Sequence, residues 1–463
     1  MALGFIADLS ANASMLLLFC LLAVCLFEAI NGFHDTANAV ATVIYTKTLP
    51  PVFAVIWAGL WNFLGAMLGG IAVAMGIVKL MPVNDLLSVP LAENIALVLS
   101  ILISAIAWNL GTWYFGIPCS SSHTLIGSLL GGGFAFWTVN GGAGVNWTKA
   151  EEIGMSLLVS PLFGFSLAIL LMFILRASIK KNKMIFDEPH KKKAPPTWIR
   201  IILIGTCTLV SYFHGNNDGQ KGVGLLMVVL MAFLPMQFTL NPHLPPGDLA
   251  SASRRVEVAL TQAAAAGDHN SESLKALAGK SGALAVQLDT TDMKDRAEIL
   301  AARKGIQGLN KTLDSSIKGG VITGEAAKAV KAEIKNLSQA YEYRMTWIVL
   351  LISICLGIGT MIGWKRIVVT IGEKIGKSHL TYAQGASAEL CAAATIGVSS
   401  WFGLPVSTTH VLSSGVAGTM VAQGGVKNLR KKTIINIALA WLLTLPVTML
   451  LSGILFFFFR LFM

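Results

Sequence analysis

Long apolar runs recur along this chain of 463 residues, for example over residues 15–29, 153–175 and 434–459. A helix rises about 1.5 Å per residue, so roughly 20 apolar residues cross the hydrocarbon core of a bilayer. Every backbone polar group within that core must be bonded inside the protein, and a helix meets this requirement by itself. The pattern therefore predicts an all-α polytopic membrane protein.

Two polar stretches interrupt the apolar pattern. Residues 177–200 hold several lysines and prolines, which is typical of an exposed linker. Residues 241–343 are rich in Ala, Lys, Asp and Glu, and their apolar positions recur at helical spacing, as at Val256 and Leu260. We expect the second stretch to form a small helical extramembrane insert.

The chain also contains an internal repeat. The segment Phe115-Gly-Ile-Pro-Cys-Ser-Ser-Ser-His-Thr-Leu125 reappears as Phe402-Gly-Leu-Pro-Val-Ser-Thr-Thr-His-Val-Leu412, and Gly32-Phe-His-Asp35 is similar to Gly215-Asn-Asn-Asp218. The two motifs lie further apart in the second copy, and removing the 241–343 insert brings both pairs into one register. We interpret each half as one structural unit.

The charge of the loops predicts how the halves are oriented. Cytoplasmic loops of membrane proteins are enriched in Lys and Arg, so we place the basic linker in the cytoplasm. Each half is expected to have about five spans, with a first helix broken at its glycines and with half helices at the repeated motifs. Because five is odd, the two repeats are predicted to be inverted, with the insert outside. The predicted segments are a first transmembrane repeat over 1–176, a cytoplasmic basic linker over 177–200, a second transmembrane repeat over 201–240 and 344–463, and the helical insert over 241–343.

Composition supports the membrane prediction. The chain is 54% hydrophobic and 13% charged, whereas soluble domains are about 25% charged. The formal net charge of +11 is concentrated in short loops, so we expect the partner to be the lipid bilayer and not a nucleic acid. The six cysteines lie in or beside apolar segments without metal-ligand or disulfide spacing, and we interpret them as small core residues.

The repeated Ser/Thr motifs are the candidate anion site. Each reads as a helix start, where free backbone N–H groups and a partial positive charge favour anions. Interrupted segments at matching positions of two inverted repeats point to a transporter binding site. The alternative is that the hydroxyls only cap helices or bond the backbone. The candidate substrate-binding residues are Ser120, Ser121, Ser122, Ser407, Thr408, Thr409 and Asn38.

Asp35 and Asp218 are the candidate coupling residues. A carboxylate within the membrane is costly and needs a partner or a function. Because a carboxylate repels an anion, we expect these residues to hold a cation or proton that accompanies the anion. The alternative is a structural carboxylate at a broken helix. Three residues before the second Ser/Thr motif are assigned to the same coupling role, namely Gln384, Ser387 and Glu389.

Several neighbouring residues are auxiliary candidates. Lys221 occupies the position of Asn38 in the other half, and it could pair with Asp218, contact the anion or extend to an interface. His123 and His410 could relay protons or fix the loops through hydrogen bonds. Asn217 could supply a neutral ligand. No resident metal site is predicted.

These motifs resemble the inorganic phosphate transporter (PiT) family, and most closely its bacterial low-affinity, proton-coupled branch. The resemblance rests on Gly32-Phe-His-Asp-Thr-Ala-Asn-Ala39, Gly215-Asn-Asn-Asp218 and the paired Pro-x-Ser-[Ser/Thr]-[Ser/Thr]-His motifs, and it covers both halves. It implies inorganic phosphate as the substrate, co-transport with H⁺ or Na⁺, and alternating access. It also implies that Asp35 and Asp218 are the essential aspartates and that the Ser/Thr motifs are phosphate-binding helix ends.

The resemblance has one departure. Asn62 stands where animal sodium-coupled members carry a glutamate, which favours H⁺ over Na⁺ as the coupling ion. In bacterial members the transported species can be a neutral divalent metal–phosphate complex, and the sequence does not discriminate it from free phosphate. We expect no resident cofactor, a bacterial inner (cytoplasmic) membrane location with a periplasmic insert, and a homodimer as one assembly compatible with the sequence.

Three other functions remain open at this stage. A carrier for sulfate or another tetrahedral oxyanion would use the same chemistry. A passive channel would use the same spans but would not accumulate its substrate. An intramembrane metal hydrolase could use His34 with Asp35 and His214 with Asp218, but these pairs do not superpose under the repeat and no HExxH spacing is present. We therefore predict a transporter and not an enzyme.

Overall fold

The computed structural model describes residues 9–86, 88–179, 183–190, 193–266, 270–362, 368 and 375–463. Over these ranges the regular secondary structure is helical, which confirms the all-α prediction. Lys180, Lys181, Lys191 and Lys192 of the predicted basic linker lie outside the described residues.

In the first half, two short helices follow the first two long ones, and the first repeated motif leads into the helix that begins at Ser121. Its helices are α1 (Ala11–Tyr45), α2 (Pro51–Leu68), α3 (Ala72–Leu80), α4 (Val83–Leu86), α5 (Leu91–Tyr114), α6 (Ser121–Asn140) and α7 (Trp147–Ser178).

The second half follows a 3₁₀ turn at Lys183–Phe186 and contains the insert. Its helices are α8 (Thr197–Phe233), α9 (Pro235–Phe238), α10 (Pro246–Ala265), α11 (Ser271–Thr290), α12 (Arg296–Lys318), α13 (Gly324–Ser338), α14 (Thr346–Met361), α15 (Tyr382–Trp401), α16 (Thr408–Gly424) and α17 (Lys431–Arg460), with a 3₁₀ turn at Val426–Asn428.

Membrane-spanning character is clear for six helices. By length and composition α1, α2, α5, α7, α8 and α17 could each cross a bilayer in the part of the chain that the structure describes. Large apolar side chains are exposed along α7 and α17, for example Leu158, Leu162, Leu442 and Leu450. The motif helices α6 and α16 are instead rich in Ser, Thr and Gly and are mostly buried by other helices. These features make the chain a multi-pass membrane protein, while five spans in each half stays a prediction.

The chain divides into two compact units, and the first consists mainly of the insert helices. It comprises Met1–Ser10, Val83–Val89 and Leu230–Tyr343. The apolar positions predicted from helical spacing, among them Val256 and Leu260, form the core between its helices. Arg303 is buried in this unit, its guanidinium lies 5.8 Å from the Tyr341 ring centroid, and burial lowers the pKa of Arg303 to about 10. On the surface, the hydrogen bond from Arg255 lowers the pKa of Glu333.

The second unit comprises Ala11–Pro82, Pro90–Val229 and Arg344–Met463, and within it the two halves of the chain pack reciprocally. The first motif helix, α6, packs against α17, while the second motif helix, α16, packs against α7. Each motif helix thus contacts the last helix of the other half. In the same reciprocal way, α1 contacts α14 and α8 contacts α2.

Equivalent glycines permit these contacts. A Cβ atom at Gly32 of α1 would lie 2.5 Å from the carbonyl oxygen of Leu356 on α14. A Cβ atom at Gly215 of α8 would overlap the backbone of Asn62 on α2. The structure differs here from the sequence prediction, because α1 and α8 continue through these glycines without a break. The glycines are needed for close helix contact and not for interrupting the helix.

Helices α1 and α8 run antiparallel where they meet. His214 of α8 faces Asp35 of α1, with 3.5 Å between Nε2 and Oδ2. Further along α8, Gly222 faces Glu28, which lies earlier on α1, because a Cβ atom at Gly222 would overlap the Glu28 carboxyl group. Residue numbers therefore fall on α8 as they rise on α1. This antiparallel contact brings the polar residues of both helices together in the interior of the unit.

Candidate substrate and coupling site

The two Ser/Thr motifs begin their helices in the same way. The Ser120 Oγ accepts a hydrogen bond from the backbone N–H of His123 at 3.1 Å and so caps α6. The Ser407 Oγ accepts one from the backbone N–H of His410 at 3.2 Å and caps α16. Serine is favoured at this position because its oxygen satisfies an N–H group that has no partner within the helix. Both helix starts predicted from the sequence are present.

Three further hydroxyls of the two motifs converge on Asp35. Thr408 Oγ1 donates to Asp35 Oδ2 at 3.0 Å, and Thr409 Oγ1 donates to Oδ1 at 2.5 Å. Ser121 Oγ, from the first motif, donates to Oδ2 at 3.3 Å. Asp35 is 2% exposed, and an ionised carboxylate only accepts hydrogen bonds. The structure thus brings three of the predicted substrate ligands to a predicted coupling residue.

Two histidines also face Asp35. The Nδ1 atom of His34 lies 3.5 Å from Asp35 Oδ1. The Nε2 atom of His214 lies 3.5 Å from Asp35 Oδ2 and 3.8 Å from Asp218 Oδ2. On its other side, His214 Nδ1 lies 2.5 Å from Asn62 Oδ1, so Nδ1 donates its hydrogen to this amide oxygen.

Asp35, His214 and Asp218 could together hold a metal ion. One ligand atom from each lies within 4.8 Å of the others, and all three residues are buried. Carboxylate oxygen with imidazole nitrogen suits divalent cations. From the sequence no resident metal site is predicted, and the His–Asp pairs entered only the hydrolase alternative, where they do not superpose under the repeat. The signal that could have found it is the i, i+4 spacing of His214 and Asp218, which places both on one helix face.

Lys221 is buried and paired. Its Nζ donates to Asp218 Oδ1 at 2.7 Å, to Ser122 Oγ at 2.5 Å and to the carbonyl oxygen of Val406 at 2.9 Å. The sequence left three options for Lys221, and the structure shows the ion pair with Asp218. Three acceptors match the three hydrogens of an ammonium group.

Asn38, in the first half, makes the equivalent contact with the motif of the second half. Its Nδ2 donates to Thr409 Oγ1 at 3.1 Å, whereas Lys221 donates to Ser122, the matching hydroxyl of the first motif. The two positions are therefore equivalent in geometry, but only one carries a charge. Asn217 has a different task, because its Nδ2 donates to Ser400 Oγ and its Oδ1 accepts from the Val406 N–H. These bonds fix the turn before α16.

The motif histidines contact each other. The ring centroids of His123 and His410 are 4.5 Å apart, and His410 stacks on Trp441 at 3.9 Å. His123 Nδ1 lies 2.9 Å from the Ser120 hydroxyl that caps its helix. These contacts fix the rings in place, and they join the two helix starts directly.

A family model described as the phosphate transporter family matches residues 31–452 of the chain. The chain belongs to this phosphate transporter family. The low-affinity inorganic phosphate transporter PitA of Escherichia coli K12 is 40% identical over 490 aligned positions, which cover 97% of this chain and 98% of PitA. The low-affinity inorganic phosphate transporter of Buchnera aphidicola subsp. Acyrthosiphon pisum is 41% identical and covers 96% of this chain.

A solved structure has a similar fold. The sodium-dependent phosphate transporter has a TM-score of 0.55 and 20% sequence identity, and the match covers 97% of this chain and 100% of that chain. The family match and these relatives make the chain a membrane transporter and not an enzyme. The hydrolase alternative considered from the His–Asp pairs is therefore discarded.

Three of the predicted coupling residues make no hydrogen bond to Asp35 in the part of the chain that the structure describes. Gln384 closes a capping box with Thr381 at the start of α15 and donates to the carbonyl oxygen of Thr419. Ser387 Oγ lies 3.5 Å from the sulfur of Met172. Glu389 Oε2 accepts from Thr206 Oγ1 at 2.6 Å. Their coupling role stays a prediction.

Proposed function

We propose that the chain is a low-affinity symporter that moves inorganic phosphate across the membrane together with H⁺. The observation that carries this proposal is the meeting of both capped helix starts at one buried carboxylate, Asp35. Helix N-termini and uncharged hydroxyl donors suit an oxyanion. The names of relatives such as PitA support phosphate as that oxyanion.

Coupling follows from competition for the same hydrogen-bond donors. In this state the hydroxyls of Ser121, Thr408 and Thr409 are engaged by Asp35. A phosphate anion here would meet a like charge and find these donors occupied. A proton on Asp35 removes the charge and weakens the carboxyl group as an acceptor, so the hydroxyls can turn to phosphate. Each ligand then favours binding of the other, as linkage requires.

Asp35 suits the proton better than Asp218 does. The Lys221 ammonium already balances the Asp218 charge at 2.7 Å, whereas the groups facing Asp35 are hydroxyls and two histidines. A proton arriving at the site therefore relieves more unfavourable charge at Asp35. Asp218 and Lys221 would hold the second motif against the first.

Alternating access would move the two halves about this point. The reciprocal packing of α6 on α17 and α16 on α7 and the antiparallel contact of α1 with α8 support inverted repeats. In such repeats the substrate lies at their interface, where broken or short helices point their N-termini at it.

A divalent cation would enter as part of the cargo. If phosphate arrives as a neutral metal–phosphate complex, the metal would need oxygen and nitrogen ligands beside the hydroxyls. Asp35, His214 and Asp218 offer such a set. This arrangement supports the metal–phosphate complex as one form of the substrate.

The membrane setting follows from the charge pattern. A bacterial inner membrane, a cytoplasmic linker and a periplasmic insert would place the basic loops inside. A homodimer is compatible with the apolar outer faces of α7 and α17.

Replacing sodium with choline should leave uptake unchanged. We expect purified protein in proteoliposomes to accumulate labelled phosphate when the pH is lower outside, and to do so equally with Na⁺ or choline. The reason is that Asn62 offers no carboxylate for Na⁺ at its position. Uptake that requires Na⁺ would favour the sodium-coupled alternative. Competition by excess unlabelled sulfate would instead indicate a general oxyanion carrier.

Replacing Ser121 and Thr408 by alanine should weaken phosphate binding. Each hydroxyl points at the shared centre, and losing one hydrogen bond to a charged group costs about 1.5–3 kcal/mol. The apparent KM for phosphate uptake should rise at least about tenfold for the double variant. The matched control is Ser407→Ala, which removes an N-cap and should cost about 1 kcal/mol of stability with a smaller change in KM. An unchanged KM in the double variant would reduce these hydroxyls to helix caps.

A further inference from the structure

Glu28 is a buried carboxyl group to which the proposed site gives no role. It lies on α1, two helical turns before Asp35, and its side chain is 0% exposed. Asn31 Nδ2 lies at the long distance of 3.5 Å from Oε2, and Oε1 has no hydrogen-bond partner among the described residues. A carboxyl group with so few partners is unusual at full burial.

The neighbouring helix leaves room for this group. Gly222 of α8 lies directly against Glu28, and any side chain there would overlap the carboxyl group. Electrostatic interactions reach it from Asp218 and Lys221 on α8, from Cys25 on α1 and from Cys355 on α14. The Lys221 ammonium is already bonded to Asp218, Ser122 and Val406. It therefore has no hydrogen left for Glu28.

An ionised Glu28 would be strongly unfavourable in this state. Burial removes the water that would stabilise the charge, and only the long contact with Asn31 partly replaces it. Asp218, which also interacts with Glu28, has the same sign, and the Lys221 ammonium that balances Asp218 is bonded to that carboxylate and not to Glu28. The carboxyl group must therefore hold a proton while the helices are in this arrangement. It can release that proton once α8 moves relative to α1 and water enters.

Glu28 and Asp35 lie at separate levels of the same helix contact. They are about 10 Å apart along α1, given the rise of a helix. Asp218 lies on α8 between Gly222 and His214, the residues that face Glu28 and Asp35 respectively. The α1–α8 contact therefore carries a line of three carboxyl groups. Movement of one helix along the other would change the surroundings of all three.

We propose that Glu28 is a second proton-carrying residue of this transporter, which binds H⁺ at one face of the membrane and releases it at the other in each cycle. The O–H bond forms on the carboxyl group when the proton enters, and the same bond breaks when the proton leaves to water. No other reactant is needed. The inference rests on the proposed proton-coupled transport of phosphate.

The test compares accumulation at different pH gradients. In proteoliposomes, a gradient of one pH unit can drive about tenfold accumulation for each coupled proton. We expect Glu28→Gln to lower the slope of log accumulation against the pH gradient by about one proton, while phosphate exchange at equal pH continues. Glu28→Asp should keep the slope, since it keeps a carboxyl group. The matched control is Glu151→Gln, an exposed glutamate on α7, which should leave the slope unchanged.

The outcomes separate the two proposals. A slope of zero in the wild-type protein would overturn the proposed proton coupling itself. A wild-type slope that Glu28→Gln leaves unchanged would overturn only the role of Glu28. If Glu28→Gln does not insert, the wild-type protein can be treated with an apolar carbodiimide, which reacts with protonated carboxyl groups, and mapped by mass spectrometry. Modification of Glu28 that increases at low pH supports the proposal, and modification that does not depend on pH contradicts it.

Discussion

Asp35→Asn should abolish phosphate accumulation driven by a pH gradient while the protein remains in the membrane. The carboxyl group of Asp35 holds hydroxyls from both motifs and faces two histidines. An amide has nearly the same shape but binds no proton, so phosphate binding at the hydroxyls no longer depends on protonation, and a proton on Glu28 alone does not drive phosphate. In the wild type each coupled proton should drive about tenfold accumulation per pH unit. In Asp35→Asn this accumulation should be absent. Uptake of labelled phosphate into proteoliposomes measures this ratio.

The control for this variant is Asp187→Asn, since Asp187 is exposed and lies in the described part of the linker. It should accumulate phosphate as the wild type does. Both variants should elute as single peaks in detergent with similar thermal unfolding midpoints. If Asp35→Asn still accumulates phosphate, Asp35 is not the coupling residue, and Asp218 and Glu389 become the candidates for that role.

Lys221→Met should strongly destabilise the protein. Lys221 balances the fully buried Asp218, and breaking a buried ion pair by removing one partner costs about 3–5 kcal/mol. The double variant Lys221→Met with Asp218→Asn should recover most of this loss, because no unpaired charge is left. Thermal unfolding of the purified variants in detergent gives the order of stability, and the coupling between the two substitutions gives the strength of the pair.

The equivalent residue of the other half provides a matched comparison. Asn38→Leu removes a neutral hydrogen bond to Thr409, which contributes about 1 kcal/mol. It should therefore destabilise the protein less than Lys221→Met does. If Lys221→Met with Asp218→Asn is as unstable as Lys221→Met alone, the lysine acts through its contacts with Ser122 and Val406 and not through Asp218.

Much of the architecture could be predicted from the sequence. Apolar runs predict helices because the bilayer demands backbone hydrogen bonding within each segment, and the repeated motifs predict equivalent helix starts at Ser120 and Ser407. Both features depend on local sequence. The pairing of Lys221 with Asp218 was also among the predicted options, because residues one helical turn apart share a face.

Other features depend on which helices meet, and a single sequence does not reveal that. Gly32 and Gly215 could interrupt a helix or admit a neighbouring one, and only the positions of α14 and α2 decide between these roles. His214 has no counterpart under the repeat, and Glu28 lies outside the repeated motifs, so neither can be recognised by comparing the two halves. The hydroxyls were predicted to face an anion, but the placement of α1 makes Asp35 their acceptor in this state.

The reciprocal packing of the two halves bears on how such a chain could arise. The helices that begin at the Ser/Thr motifs bury their faces against α17 and α7 of the opposite half. A half expressed alone would leave those faces uncovered, and it would supply only part of the group that surrounds Asp35. An ancestral single-length chain would therefore have folded as a pair of identical subunits that exchanged their last helices. Fusion of two such copies would remove the need for each subunit to find its partner, and it would allow the positions of Lys221 and Asn38 to differ.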